Sequence, residues 1–129
     1  MEDAVQVLLR GNNFAQLGTV NADHTPHIDT VWFAYEEDKI VVATTLATKK
    51  AKNLQANPNA YIVVTNKDNA YEQAQIKVVL SAIEDDADLA ICDSIAKAYT
   101  GNAFVQRKHQ GRVALVFDIL KIKYHVARV

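Results

Sequence analysis

The stretch FAQLGTVNADHTPHIDTVWFAYEEDKIVVATTLATKKAKNLQANPNAYIVV, residues 14–64, decides the fold of this chain. Its first half contains three segments rich in β-branched and aromatic residues, at Phe14–Val20, 27–35 and 40–45. The turn-forming stretches NADHTP and EEDK separate these segments. Because strands joined by short turns usually pair with their neighbours, the pattern predicts a three-stranded antiparallel meander.

A short helix is predicted directly after the third strand. Thr48 is of a residue type that caps helix N-termini, and Asn57, which precedes a proline, sets the helix end. Lys49, Lys50 and Lys52 fall in the first turn, where the helix dipole is positive and backbone N–H groups lack partners. Two interpretations stay open: the lysines are simply solvated, or a phosphate binds the N–H groups, the threonine hydroxyl and a lysine.

The remaining segments predict a mainly β fold with small helices. A helix is predicted at Asp3–Arg10, because Val5, Leu8 and Leu9 fall on one face. The other predicted elements are strands at 60–65 and 75–83, a helix within 85–101, and one long bent strand or a pair of strands within 112–129. Short strands at this spacing predict a compact antiparallel β-barrel, Greek-key-like, that forms a single domain over residues 1–129.

Composition excludes several classes of protein. The chain has 129 residues, 50% of them apolar, and a formal net charge of −1, so no overall basic field for nucleic acid is expected. The single cysteine, Cys92, excludes an intrachain disulfide and a cysteine-based zinc cluster. The N-terminus carries acids where a secretory signal needs basic residues, and no apolar run approaches the ~20 residues of a membrane span. A cytoplasmic location without a membrane partner is predicted.

Histidine pairs and isolated histidines give weak signals. His24 and His27 form H-x-x-H across a proline-containing turn, and with no third ligand in the pattern a surface turn is favoured over a metal site. His109 and His125 are isolated, and exposure or ordinary hydrogen bonding is the expected state of each.

The acidic run before the third helix is interpreted as structural. Glu84, Asp85, Asp86 and Asp88 precede that helix, where carboxylates complement the dipole and one of them can cap the N-terminus. Cys92 lies among apolar positions of the same helix without a basic neighbour, so it is expected to be a small buried hydrophobe and not a nucleophile.

The order of these features resembles the FMN-binding split β-barrel family typified by pyridoxamine 5'-phosphate oxidase. The resemblance covers the first half of the chain and rests on the proline-containing turn, a strand of mixed polarity, a strand ending in threonine, T-K-K-A at 48–51 and Asn-Pro at 57–58. It implies a split barrel of the FMN-binding type. It also implies a homodimer with the cofactor between the subunits, its phosphate at the strand-to-helix junction and its ring against strand backbone.

The resemblance also implies a set of cofactor-binding residues. They are Thr48, Lys49 and Lys50 for the phosphate, Thr44 for the ribityl chain, the main chain of Ile28, Asp29, Thr30 and Val31 for the ring, and Gln75, which matches a glutamine that reaches the flavin. The match departs at Ile28, where the family has a basic phosphate ligand, and the neighbouring His27 is the candidate substitute.

The implied function is that of an FMN-dependent oxidoreductase, which passes electrons from a reduced nicotinamide or another donor to a small acceptor. The cofactor carries the redox chemistry, so no acid, base or nucleophile set is expected. Because the segment that holds the pyridoxine substrate in the true oxidase has no match here, that activity is not expected. Two alternatives stay open: an oxidoreductase that uses the deazaflavin F420 in the same cleft, and a non-catalytic flavin- or haem-binding module with His109 or His125 as the haem ligand.

Overall fold

Seven strands and three helices are found in residues 2–105 and 110–128, which the computed structural model describes. In chain order they are α1 (Asp3–Arg10), β1 (Phe14–Val20), β2 (Pro26–Val31), β3 (Ala34–Glu36), β4 (Lys39–Thr45), α2 (Lys49–Ala56), β5 (Asn59–Asn66), β6 (Asn69–Asp85), α3 (Ala90–Thr100) and β7 (Arg112–Val126). Within these described ranges, no helix has the length and apolar character needed to cross a membrane.

All seven strands belong to one antiparallel sheet with the order β2-β1-β5-β6-β7-β4-β3. Its two edge strands, β2 and β3, are joined by only Trp32 and Phe33. Because an extended chain covers at most about 3.6 Å per residue, the ends of the two edges lie within about 11 Å of each other. The sheet must therefore curl back on itself, which confirms the predicted mainly β barrel with small helices.

The predicted three-stranded meander is wrong. β1 pairs with β2, and β3 pairs with β4, but β2 and β3 lie at opposite edges of the sheet. The predicted strand at 27–35 is therefore two strands, interrupted at Trp32 and Phe33. The apolar pattern hides this break because Phe33 within it, and Val31 and Tyr35 on either side of it, are all buried. The partners that separate the two hairpins, β5, β6 and β7, come from later in the chain.

The strand predicted at 75–83 is β6 in the structure, and it is longer than predicted. β6 begins at Asn69, six residues before the predicted start at 75, because the turn that precedes it is confined to residues 67–68. The amide oxygen of Asn66 accepts a hydrogen bond from Asp68 N at 2.8 Å, which closes that tight turn. β7 pairs with β6 along nearly all of its length and is one continuous strand of 15 residues. Of the two alternatives for residues 112–129, one long strand is therefore correct and a pair of strands is wrong.

The core lies inside the curled sheet and under the three helices. α1 buries the three residues predicted to share a face, Val5, Leu8 and Leu9. The large apolar side chains with at most 1% exposure are Leu17, Ile40, Val42, Leu54, Ile62, Val64, Ile76, Val78, Leu115 and Phe117. Their alternation along β1, β4, β5 and β6 leaves every second residue of these strands on the outer face.

The acidic run before α3 is structural, as predicted. Asp86 is 1% exposed, and its two carboxylate oxygens each accept a backbone N–H, from Ile91 and from Cys92, at 2.9 Å. These hydrogen bonds satisfy donors that the first turn of a helix cannot pair by itself. Cys92 is buried, as expected.

Candidate functional site

The junction between β4 and α2 is organised by two threonines. Thr48 caps α2, as predicted: its Oγ1 accepts a hydrogen bond from Ala51 N at 3.4 Å and donates to the carbonyl of Thr45 at 2.9 Å. Thr44, the penultimate residue of β4, has its Oγ1 3.1 Å from that of Thr48. The junction therefore presents two adjacent hydroxyl groups at the positive end of a helix.

α2 is held against β1 by a buried amide that sequence reasoning missed. Asn53 Nδ2 donates to Thr19 Oγ1 at 3.1 Å and to Asn21 Oδ1 at 2.9 Å. Ala51 and Leu54 are buried on the same helix. This anchoring fixes the direction in which the N-terminus of α2 points. No signal in the sequence predicts that Asn53 is buried, because it is a polar residue and its only notable feature is that it precedes the apolar Leu54.

Lys50 reaches from the first turn of α2 back to β2. Its Nζ donates to Asp29 Oδ2 at 3.1 Å, and the two side chains are 15% and 31% exposed. The other carboxylate oxygen of Asp29 lies 3.6 Å from His27 Nε2. The carboxylate of Asp29 is therefore an anion of the protein itself that lies beside the first turn of α2. It offsets part of the positive charge that the lysines add to this end of the helix.

Lys49 is exposed on the same turn and lies near the β1–β2 hairpin. Hydrogen bonds from Thr25, the one from its hydroxyl above all, lower the pKa of Asp23, and Lys49 adds a smaller effect of the same sign. His24 is exposed in this hairpin turn. Across residues 2–105 and 110–128, His, Cys, Asp and Glu side chains form no group of three that could hold a metal.

His27 carries an orphaned polar atom. Its Nδ1 is buried and has no hydrogen-bond partner among the described residues, while its Nε2 faces Asp29. A buried polar atom without a partner is costly and rare in folded proteins. His27 lies two residues before Asp29 on β2. Its Nδ1 is therefore a hydrogen-bonding atom available close to the Asp29–Lys50 pair.

A cavity of about 170 Å³ opens beside Lys50 and under α3. Its lining consists of Thr30, Val31, Trp32, Ala43, Lys50, Cys92, Ile95, Phe104 and Arg112. Trp32 stacks on Tyr99 of α3 with the ring centroids 5.2 Å apart, and burial raises the pKa of Tyr99. Arg112 is 8% exposed, with its guanidinium carbon 5.0 Å from the centre of the Phe104 ring. No motif in the sequence indicated Arg112.

The remaining predicted residues lie on the outer face of the sheet. Ile28 is 65% exposed, and Thr30 donates a hydrogen bond to Gln16 at 2.9 Å. Residues Thr30, Gln16, Val63 and Gln75 stand opposite one another across β2, β1, β5 and β6. Neighbouring strands are about 4.8 Å apart, so Gln75 lies about 14 Å from Thr30 along the sheet.

The structure thus divides the predicted site residues into two groups. One group lies at the β4–α2 junction and along the inner face of β2: His27, Asp29, Val31, Thr44, Thr48, Lys49 and Lys50. The side chains of Ile28, Thr30 and Gln75 face the outer side of the sheet instead, and Thr30 also borders the cavity beside Lys50. Of the two histidines considered as haem ligands, His125 is exposed on β7, and His109 lies outside the described residues.

Comparison with known proteins gives one sequence family and many similar folds. The family model of pyridoxamine 5'-phosphate oxidase matches residues 1–126. An F420 reductase superposes with a TM-score of 0.85 at 23% identity, over 95% of this chain and 98% of that chain. No curated protein sequence matches significantly.

Two further solved structures share the fold. An FMN-binding protein from Syntrophomonas wolfei subsp. wolfei has a TM-score of 0.68 and 24% identity, over 98% of this chain and 87% of that chain. The haem storage protein from Vibrio cholerae has a TM-score of 0.69 and 17% identity, over 96% of this chain and 94% of that chain. At these identities the likenesses establish the split-barrel fold alone.

Proposed function

The chain belongs to the pyridoxamine 5'-phosphate oxidase family, and from this premise we propose that it is a homodimeric, FMN-binding oxidoreductase that acts on a small molecule. The β4–α2 junction carries the proposal. There the hydroxyls of Thr44 and Thr48 lie at the N-terminus of a helix whose first turn carries Lys50 and contains no acidic residue. Such an arrangement is suited to a phosphate.

The residues present fit FMN at both of its ends. First-turn N–H groups of α2, the two threonine hydroxyls and Lys50 would hold the phosphate. Within residues 2–105 and 110–128, β2 is an edge strand that pairs only with β1, so the other side of its main chain has no strand partner there and can form hydrogen bonds to the flavin ring. When bound, FMN supplies the redox chemistry of its ring system.

The protein's own groups would then orient the cofactor and exclude water. The main chain of β2 from Ile28 to Val31 would fix the plane of the ring, and Thr44 would contact the ribityl chain. His27 Nδ1, which has no hydrogen-bond partner in the described part of the chain, provides one further hydrogen-bonding atom beside this edge. A reduced nicotinamide is the proposed electron donor, and the ring face left open would receive the small acceptor.

The separation of Gln75 from the junction supports a homodimer. Within one chain, Gln75 is three strands away from the β2 edge, so it would contact a flavin only across a subunit interface. Ile28 and Tyr61, 65% and 54% exposed, stand on either side of Gly18 on the same outer face. A second copy covering these apolar groups would remove them from water.

One observation favours F420 as a second candidate cofactor. Asp29 lies against Lys50, so any phosphate bound by that lysine is close to a carboxylate. The terminal phosphomonoester of FMN is largely dianionic at neutral pH, because its second pKa is about 6. The phosphodiester of F420 carries one charge and would be repelled less. A competition titration separates the two, since a tenfold preference corresponds to about 1.4 kcal/mol.

The test begins with the visible absorption spectrum of protein purified without added cofactor, followed by denaturation and chromatographic identification of what is released. Flavin bands and released FMN are the expected result. Colourless protein would be titrated with FMN, F420 and haem in turn, and its mass measured by analytical ultracentrifugation. Saturation by FMN followed by oxidation of a reduced nicotinamide supports the proposal. A preference for haem, or saturation without turnover, would point to a binding module, and no affinity for FMN would refute the proposal.

A further inference from the structure

We propose that a cavity beside Trp32, termed the Trp32 cavity, is the substrate pocket of the proposed oxidoreductase and takes a single uncharged aromatic ring. The cavity has a volume of about 170 Å³ and is lined by Trp32, by Ala96 and Thr100 of α3, and by residues 102–105. Its role as a substrate pocket rests on the proposed function, whereas its capacity to bind a ring does not.

The Trp32 cavity adjoins the part of β2 that is proposed to hold the flavin ring. Trp32 directly follows Val31, the last residue of β2, so the Cα atoms of the two residues are about 3.8 Å apart. Trp32 and Phe104 also line the cavity beside Lys50, so the two cavities share these aromatic residues as walls. A ring bound against Trp32 would therefore lie next to the flavin, where a substrate exchanges electrons with it.

The aromatic wall of the Trp32 cavity is held in place by Tyr99. The phenol ring stacks on the indole of Trp32 with an interplanar angle of 10°. Its hydroxyl donates to the carbonyl of Asn13 at 2.6 Å and accepts from the backbone N–H of Phe33 at 3.4 Å. Because the phenol is fixed at two points, the indole offers a preorganised surface to a ligand.

A second wall is fixed by the turn that ends α3. Gly101 has a φ of +80°, in the left-handed region, and its N–H donates to the carbonyl of Lys97 at 2.9 Å, so the chain changes direction there. The backbone N–H of Phe104 donates to Asp93 Oδ1 at 3.0 Å. Residues 102–105 are therefore tied back to α3 and keep their position at the cavity.

The size and the lining of the cavity define the class of ligand. An apolar protein cavity of about 150 Å³ is large enough to bind benzene, so about 170 Å³ suits one six-membered aromatic ring. Among the described residues that line the cavity none is charged, and its polar side chains are Thr100 and Asn102. A charged ligand would lose its hydration without gaining a counter-charge, whereas a carboxamide or hydroxyl group would meet hydrogen-bonding partners.

The apolar rim of the cavity also favours an apolar ligand. Val105 is 85% exposed, more than any other large apolar residue within residues 2–105 and 110–128, and Ala103 is exposed beside it. Both residues line the cavity. A ring seated there would remove part of this apolar surface from water, which favours binding.

The experiment uses benzamide as the probe and Trp32 as the reporter. Trp32 is the only tryptophan of the chain, so ¹⁵N-labelled protein gives one indole N–H resonance. In flavin-free protein, benzamide should shift this resonance saturably, with a dissociation constant of roughly 1–10 mM for so small a ligand. Benzoate, which has the same ring and a negative charge, and cyclohexanecarboxamide, which lacks the aromatic ring, should each bind at least about tenfold more weakly.

Ala103→Leu and Ala98→Leu are a matched pair of variants. Both alanines are exposed, but Ala103 lines the Trp32 cavity and Ala98 lines a different one. Ala103→Leu should weaken benzamide binding at least about tenfold, because the larger side chain occupies the cavity, and Ala98→Leu should match the wild type. Nuclear Overhauser effects from benzamide to the methyl groups of Ala96 and Val105 locate the ring in the wild type and decide should Ala103→Leu fail to fold. Equal binding of the three probes, unchanged affinity in Ala103→Leu or no such effects would overturn the ring site.

FMN-loaded protein tests the substrate role separately. Benzamide should shift the visible absorption bands of bound FMN in the wild type and in Ala98→Leu, and much less in Ala103→Leu. Binding of benzamide without a shift of these bands would refute the substrate role. Protein that binds FMN but not benzamide would overturn this inference and leave the proposed function standing. Protein that binds benzamide but no flavin would refute the proposed function and leave the ring site standing.

Discussion

Replacement of Lys50 by alanine should weaken FMN binding strongly while leaving riboflavin binding nearly unchanged. The substitution removes an ammonium group that is 15% exposed and points from α2 toward the β2 edge. A charge-assisted hydrogen bond of this kind contributes about 1.5–3 kcal/mol. This first part of the effect is the direct loss of the phosphate contact.

A second part comes from the carboxylate that Lys50 leaves behind. Asp29 Oδ2, 3.1 Å from Lys50 Nζ in the wild type, would face the phosphate without its counter-charge. For two partly screened charges a few ångströms apart, this repulsion adds about 1 kcal/mol. The total of about 2.5–4 kcal/mol corresponds to roughly two to three orders of magnitude in the FMN dissociation constant.

The double variant Lys50→Ala/Asp29→Asn separates the two parts. It should recover about 1 kcal/mol of FMN affinity relative to Lys50→Ala, because the unpaired carboxylate is gone. Isothermal titration calorimetry of both flavins against the wild type, Lys50→Ala, Asp29→Asn and the double variant completes the cycle, with circular dichroism to verify the fold. Equal losses for FMN and riboflavin in Lys50→Ala would refute the phosphate assignment. An unchanged FMN affinity in the double variant relative to Lys50→Ala would refute the role of Asp29.

Three further predictions concern the scaffold. Asp86→Ala should lower the free energy of unfolding by about 2–3 kcal/mol, because two backbone donors of α3 lose a buried carboxylate, whereas the exposed Glu84→Ala should change it by less than about 0.5 kcal/mol in urea denaturation. Asn53→Ala should lower the free energy of unfolding by about 1–2 kcal/mol in the same assay, because α2 loses its hydrogen bonds to Thr19 and Asn21. It should also lower the affinity for FMN more than the affinity for riboflavin. A loss of stability without that difference between the two flavins would contradict the positioning role. The hydrogen bond from Tyr124 lowers the pKa of Glu72 below its usual 4.5, so the stabilising contribution of this carboxylate is present above that value and is lost as the pH falls through the folded-state pKa. The difference in unfolding free energy between the wild type and Glu72→Gln should therefore be constant near neutral pH and shrink in acid, and a difference that does not vary with pH would count against the link.

The sequence by itself determined the features that depend on residues a few positions apart. The bounds of α1 and α2, the Thr48 cap and the carboxylate cap of α3 were all predicted, since each requires only local hydrogen bonds and one apolar helix face. It also pointed to the β4–α2 junction, because cations in the first turn of a helix conflict with the helix dipole wherever that helix is packed.

Only the tertiary structure decided which distant residues meet. The break at Trp32 and Phe33 sends β2 and β3 to opposite edges, and their apolar side chains look the same in the sequence whether the strand is continuous or broken. The pairing of Lys50 with Asp29, and the arrival of Arg112 beside Thr45, depend on strand register across the curled sheet. Register is set by the simultaneous burial of one face of every strand, a condition on the whole chain that no local pattern contains.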